Sequence, residues 1–456
     1  MSDTKTKLQF WGGAGSVTGS NFMLDSDGVK IMIDCGMFQG CEFCEDSNFA
    51  ALPYNPADVS TLIVTHAHID HIGRIPRLMR EGFKGRIIST EATKALAHPL
   101  LLDAMKLLAH TAEMTGKPQL YDSADVERSM AVWDTHPYHE SFSLAGGFTA
   151  ELLDAGHILG SAMVRIARGG RTIIFTGDLG NDESLLVGPT ESIAGANYLV
   201  TESVYGDKKH DHIENRTQEF ERVVEQTLAK GGVLLIPAFS TERTQDLLFE
   251  LRTLLMEKRI PSIPVYLDSP LASRITEAFS ANPSYFRDTI RKRIEGGEHI
   301  FSFPELHFIH DAQESAQLHK DESPKIIIAG SGMSHGGRVL GHEAFYLSDP
   351  KNTLLIVGYQ AAGSLGRALI EGQKNVSIMK QKVTVRASVE KIYGYSAHRD
   401  ADGLLSFVEG GGKSLTEVFV AMGEPKSSLF LVQRIRDFLG IKASAPEQGT
   451  EVVVSL

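Results

Sequence analysis

The chain has 456 residues, 42% of them apolar and 22% charged, with a formal net charge of −12. That length predicts two or three domains, or one domain with a large insertion, in a globular enzyme of ordinary composition. The charge excludes indiscriminate capture of nucleic acid by a global positive field. Three cysteines give no disulfide framework, and no apolar run approaches the roughly 20 residues of a membrane-spanning helix.

The polar stretch 1–9 lacks the apolar centre of a secretory signal, so a cytoplasmic location is expected. Residues 8–35 read as short strands at 8–11, 21–25 and 30–34, joined by glycine-rich turns. The apolar run 61–66 predicts a buried strand leading into a helix near 71–81, with another strand at 86–89. Helical spacing dominates 92–116 and 123–132. A strand meander at 148–153, 162–167 and 171–176 follows, and the strand 198–202 ends on Glu202.

From about 213 the rhythm becomes strand–helix alternation. Helices at 213–230 and 241–258 precede strands at 232–237 and 264–267, and further strands fall at 325–329 and 352–357. This predicts a parallel sheet with covering helices. After about 385 the pattern returns to strands and helices ending at 452–454. The fold class is α/β, with a second α/β unit inserted into the first. The boundaries are placed at 1–207, 208–385 and 386–456.

The chemistry gathers at strand ends. Thr65-His66-Ala67-His68-Ile69-Asp70-His71 packs three imidazoles and a carboxylate into seven residues directly after an apolar strand. Imidazole nitrogens and carboxylate oxygens are what zinc and similar ions bind. His66 and His68, two apart on extended chain, point toward one metal; Asp70 and His71 fall on the next turn, suited to a second. Asp154-Ala155-Gly156-His157, Thr176-Gly177-Asp178 and Ile33-Asp34 end three more strands the same way. One such Asp is ordinarily a turn-former, but four ends together suggest one converging face.

Other candidates are weaker. Cys41-Glu42-Phe43-Cys44 lacks the partner pair of a zinc knuckle and reads as a loop with free thiols, while Cys35 reads as small core filler. Arg291-Lys292-Arg293, Arg243, Arg274, Arg338 and Arg367 are candidates to line a local basic channel, although such a run is more often a solvated helix face. In Gly330-Ser331-Gly332 the glycines would let backbone N–H groups approach an anion and Ser331 adds a donor, making Ser331 and Gly332 candidate phosphate contacts. Tight-turn chemistry is the equal alternative. His335, His342 and Arg367 would strengthen a phosphate site if they faced it.

The run His66, His68, Asp70, His71 matches H-x-H-x-D-H in full, and the chain resembles the metallo-β-lactamase superfamily. Gly15 to Ser20, Asp34 to Gly40, Thr201 to Gly206, Tyr266 to Ala272 and Gly358 to Gly363 make it similar to the β-CASP branch, which includes the cleavage-and-polyadenylation nuclease subunit and its prokaryotic ribonuclease relatives. The resemblance runs from about residue 8 to about 440. It implies an αββα sandwich with an inserted β-CASP domain.

It also implies two zinc ions, one on His66, His68, His157 and Asp178, the other on Asp70, His71 and the bridging Asp178. Asp34 would orient a ligand imidazole. Glu202 and His398 match two further motif positions, with His398 the general acid held by Glu202 and Asp70 orienting the attacking water. Met422 stands where the family carries another histidine. A thioether suits copper(I) better than zinc, so the second ion is expected to be one ligand short.

The implied activity is ribonuclease action on single-stranded RNA, endonucleolytic with 5′-exonuclease action, leaving a 5′-phosphate and a 3′-hydroxyl. The alternatives are a DNA-acting nuclease, since DNA-acting members also lack that histidine, a silent RNA-binding scaffold, or a small-molecule hydrolase, against which the large insertion argues. Similar proteins often form homodimers, and no membrane partner is expected.

Overall fold

A computed structural model describes residues 5–40, 45–181, 183–209, 215–358, 360, 363–392 and 394–456. Two units divide the chain: Met1–Lys209 with Ala397–Leu456, and His210–Ser396. Cys41 and Cys44 lie outside the described residues.

The first unit is built on two seven-stranded sheets. One runs in the order Glu451–Ser455, Lys5–Gly12, Asn21–Ser26, Val29–Ile33, Val59–Ile63, Arg86–Ser89, Trp133–Thr135, antiparallel at the first end and parallel from Val29–Ile33 onward. The other runs Lys442–Ser444, Glu417–Val420, Tyr198–Thr201, Arg171–Phe175, Ala162–Arg168, Thr149–Asp154, Phe142–Ser143. Period-2 alternation turns one face of each sheet inward. Leu8, Phe10, Ile31 and Ile63 meet Val164, Ile173, Phe175 and Phe419 in one apolar cluster. The outer face of the second sheet is covered by Leu404, Phe407, Leu431 and Val432 of the helices Ala401–Glu409 and Pro425–Arg434. The helix Glu91–Thr115, capped by Thr90 and stopped by left-handed Gly116, lies along the first sheet. This is the expected αββα sandwich.

Two local differences have visible causes. The strand expected over 61–66 leaves the sheet early. Val64 N–H still reaches Ile88 O, but Thr65 N–H donates to the Asp34 carboxylate at 2.8 Å. The helix expected over 71–81 splits into Ile69–Ile72 and Ile75–Arg80, because Pro76 has no N–H to continue the ladder.

The second unit holds six parallel strands in the order Leu306–Phe308, Val265–Asp268, Lys325–Ala329, Val233–Pro237, Thr353–Ile356, Ser388–Lys391. Helices including Arg216–Ala229, Arg243–Met256 and Pro270–Ala281 connect them. The last strand moves a boundary. Because Ser388–Lys391 pairs with Thr353–Ile356, the chain returns to the first unit at Ala397, not at 386. An antiparallel hairpin, Asn375–Ile378 with Gln381–Thr384, was not among the expected elements. Among the described residues no helix is long and apolar enough to cross a membrane.

Candidate metal centre

Six segments of the first unit deliver the site. After Val59–Ile63 the extended stretch brings in His66 and His68, and His68 then caps the short helix that carries Asp70 and His71. Asp34 follows Val29–Ile33 with a left-handed φ of 58° and is fully buried. Its carboxylate accepts from Thr65 N and Oγ1 and from Ser20 Oγ, and sits 2.7 Å from His71 Nδ1. Engaging Nδ1 in this way leaves His71 Nε2 for the cluster. A Cβ at Gly36 would lie 1.5 Å from Asp70 O, so the loop after Asp34 can run against the short helix only as glycine.

His157 follows Thr149–Asp154, Asp178 follows Arg171–Phe175, and Glu202 follows Tyr198–Thr201. The segment around His398 is stitched to the Asp178 loop. Gly180 bridges to His398, Asn181 N–H donates to Ala397 O at 2.9 Å and Arg399 N–H to Leu179 O at 3.1 Å. Gly180 is itself pressed on the His157 loop, where a Cβ would lie 1.7 Å from Gly156 O.

Three overlapping donor groups result: His66, His68, His157 and Asp178; Asp70, His71 and Asp178; Asp178, Glu202 and His398. Within each, the donor atoms lie within 4.8 Å of one another. In the first group His68 Nδ1 is 3.1 Å from His66 Nε2 and 3.2 Å from His157 Nε2. Asp178 Oδ2 is 3.5 and 3.6 Å from those two Nε2 atoms. Bonds of about 2.0–2.1 Å to a tetrahedral ion imply donor separations of roughly 3.3 Å, so the spacing fits a cation of that size. In the second group His71 Nε2 is 3.4 Å from Asp178 Oδ1 and 3.9 Å from Asp70 Oδ2. His71 Nε2 and Asp178 Oδ1 are both buried with no hydrogen-bond partner. Such atoms are costly unless something compensates them, and a divalent cation does.

Three of the imidazoles are held ready for ligation. Burial lowers the pKa of His66, and holds those of His68 and His157 well down, keeping these imidazoles neutral with a free lone pair. Burial raises that of Asp70. For His71 burial opposes the charge, but Asp178 and Asp34 outweigh it and hold its pKa well above the ordinary value. Burial likewise opposes ionisation of Asp178, yet His71 and His66 keep its carboxyl well below the usual range.

His398 Nδ1 lies 3.2 Å from Glu202 Oε1. Glu202 is itself fixed by accepting from Leu179 N at 2.7 Å and Val204 N at 3.2 Å. Burial works against a charged His398, but the Glu202 carboxylate, with Asp178 and Asp70 behind it, pushes its pKa up to about 9.

None of the remaining candidates is among these donor groups. Met422 is buried in the apolar layer between the sheets, its N–H donating to Gly13 O and its carbonyl accepting from Ser203 N. It offers the cluster no side-chain nitrogen or oxygen. Ser331 and Gly332 belong to the second unit, where turn bonds occupy Ser331 and a side chain engages the Gly332 carbonyl. Ser331 N–H donates to Gly336 O, Ser331 Oγ accepts from His335 N, and Gly332 O accepts from Gln360 Nε2. His342 is buried against Asp268 at 2.7 Å, and Arg367 pairs with Glu371. Cys35 is buried, as a core filler should be. Sequence reasoning passed over Thr65, whose hydroxyl lies 2.9 Å from Asp34 Oδ2 and 3.1 Å from His66 Nδ1. It also passed over Arg399, whose Nε donates to Gly180 O. Neither sits at a spacing that marks it in the sequence.

Comparison with known proteins agrees with this geometry. Residues 15–209 match the metallo-β-lactamase superfamily, 244–369 the Beta-Casp domain, and 382–446 the Zn-dependent metallo-hydrolase RNA specificity domain. A ribonuclease of Thermus thermophilus is 36% identical over 400 residues, which cover 88% of this chain and 90% of that protein. The chain belongs to the β-CASP branch of the metallo-β-lactamase superfamily. This β-CASP chain is also 33% identical to the cleavage and polyadenylation specificity factor 73 of Drosophila melanogaster over 409 residues, 87% of the chain and 57% of that protein. A solved protein of unknown function from Enterococcus faecalis shares the fold, with a TM-score of 0.58 at 12% identity over 99% of this chain and 100% of that one.

Proposed function

We propose that the chain is a metal-dependent ribonuclease that hydrolyses phosphodiester bonds of single-stranded RNA, cutting internally and trimming from the 5′ end. The observation that carries this reading is the His398–Glu202 pair set against a His/Asp cage, with Asp178 common to both. The family relationship and the similarity to a ribonuclease support it.

His66, His68, His157 and Asp178 would hold one divalent cation, zinc by its nitrogen-rich donor set, and Asp70, His71 and Asp178 a second. Bound there, such ions supply Lewis acidity that lowers the pKa of water from about 15.7 toward about 7 and offsets charge on the phosphate. The protein does the rest. Asp34 fixes the tautomer of His71. Asp70, partly solvated, orients the attacking water and takes up its proton. His398, held charged by Glu202, gives its proton to the leaving 3′-oxygen as the P–O3′ bond breaks. Nearby cations would draw its pKa down from about 9 toward neutrality, where a general acid works best. The products are a 5′-phosphate and a 3′-hydroxyl.

End-labelled single-stranded RNA and DNA, incubated with the protein with and without a chelator, test the reading. RNA cleavage that the chelator abolishes is expected. Intact RNA, or cleavage by metal-stripped protein, would overturn it, and preferential cutting of DNA would move it to the DNA-acting nucleases. Light scattering on the same sample tests the homodimer implied by the resemblance.

A further inference from the structure

The arginines that looked available to line a basic channel are largely neutralised. Arg243 lies 3.0 Å from Asp246, Arg291 2.6 Å from Asp288, Arg293 3.0 Å from Glu298, Arg338 2.5 Å from Asp268 and Arg367 2.6 Å from Glu371. A polyanion must break those pairs or find positive charge elsewhere.

The hairpin of the second unit supplies it. Residues 372–386 contain Lys374, Lys380, Lys382 and Arg386 and no acidic residue, in a chain whose net charge is −12. All four side chains are exposed. Among the described residues none of them forms an ion pair. The opposite face is apolar: Val376, Ile378, Val383 and Val385 are buried in the core of the second unit. Beyond the second strand, Arg386 N–H and Ala387 N–H both donate to Leu347 O. The ribbon is thus pinned by its apolar face; Lys382 and Arg386 alternate with Asn375, Ser377 and Thr384 on the solvent face, while Lys374 is exposed at the base of the hairpin opposite Val385.

Its tip adds a second observation. Ile378 pairs with Gln381, so the turn is the two residues Met379 and Lys380, at φ values of 48° and 66°. Such turns favour Asn-Gly, since both residues must be left-handed. Here the strained positions hold a 64% exposed methionine and a lysine. A strained tip that displays an apolar and a cationic side chain is more economically explained by contact than by folding.

We propose that the exposed surface of this hairpin binds the sugar–phosphate backbone of single-stranded RNA, with Lys374, Lys380, Lys382 and Arg386 on phosphates and Met379 against a base. This rests on the ribonuclease reading for the choice of polymer. Its chemistry is that of sequence-independent backbone contact, in which each neutralised phosphate releases counterions.

Equilibrium binding of a fluorescein-labelled single-stranded RNA of about 30 nucleotides, longer than the ~4–16 nucleotides of typical single-strand grooves, tests it. Full-length protein is used in chelator, so that no cleavage intervenes. The variant Lys374→Gln/Lys380→Gln/Lys382→Gln/Arg386→Gln should bind about 10- to 100-fold more weakly near physiological salt. It should also lose up to about 2–3 from the slope of log K against log salt, roughly 0.7 per lost phosphate contact. A matched control, Lys5→Gln/Lys84→Gln/Lys106→Gln/Lys413→Gln, removes the same charge from the first unit and should change affinity far less. Met379→Ala should weaken binding several-fold without altering the salt slope. Equal losses in the two quadruple variants would mean a general field and would overturn the proposal. So would unchanged RNA affinity, even if the variant aggregated through loss of edge-protecting lysines, or displacement of RNA by polyglutamate of equal charge. Because binding is read without catalysis, failure of the nuclease assay and failure of the hairpin are separate results.

Discussion

Each unit sets a buried aspartate against a buried histidine, and the two pairs are opposite in character. In the second unit Asp268 accepts from Arg338, Ser315 and His342, and His342 continues to His319 at 3.0 Å. In the first unit Asp178 and His71 face each other with Oδ1 and Nε2 unpartnered. The Asp268 arrangement is complete as it stands; the Asp178 arrangement is complete only with a cation added. A buried carboxylate–imidazole contact therefore marks a binding site when it leaves polar atoms over, not because it is buried.

Substitution should separate the two most sharply. Asp178→Ala is expected to abolish RNA cleavage, by about 10³-fold or more, and to empty the metal site by elemental analysis, while costing the metal-stripped protein less stability than Asp268→Ala, because His71 keeps its contact with Asp34. Asp268→Ala leaves Arg338 and His342 without their partner, so it should cost about 3–5 kcal/mol of stability, read by denaturant unfolding. If Asp178→Ala destabilised the metal-free protein as strongly, the contrast would fail.

Glu202→Gln should lower kcat by about 10²-fold with little change in KM, since general acid catalysis is worth roughly 10²–10⁴. The pH dependence of the metal-free protein tests the same pair. His398 has a folded pKa raised to about 9, against about 6.5 when unfolded. Its stabilisation is therefore full below pH 6.5 and disappears as pH rises through 9, a loss of about 3 kcal/mol at most. Unfolding curves between pH 6.5 and 9 should show this decline, and His398→Gln should flatten it. A smaller signal is proton release. His71 is held protonated between Asp34 and Asp178, so loading zinc should expel a proton, visible as a buffer-dependent heat in calorimetry. The least effect is expected from Met422→His, which should raise the zinc content of the second site modestly. Unchanged stoichiometry would show that the buried position cannot reach the ion.

Much of the site was legible because strand ends are legible. Apolar runs stop where the chain leaves the sheet, and His66, His68, His157 and Asp178 follow such stops. Glu202 and His398 were readable only through family motifs, since no spacing relates residues 196 apart. Ser331 and Gly332 show the converse. The glycine pattern was real, but the Ser331 N–H and hydroxyl are taken up within their own turn. The hairpin escaped notice because its alternation is short, and its Met-Lys tip carries no turn signature.

By itself the sequence determined which residues are ligand-grade and which segments are strands, because donor chemistry and hydrophobic period are local properties. The tertiary structure decided which donors share a cage, which arginines are already spent on carboxylates, and which lysines remain exposed. Those outcomes depend on loops meeting across hundreds of residues, as when the Asp34 carboxylate draws Thr65 off its strand and turns His66 and His68 toward Asp178.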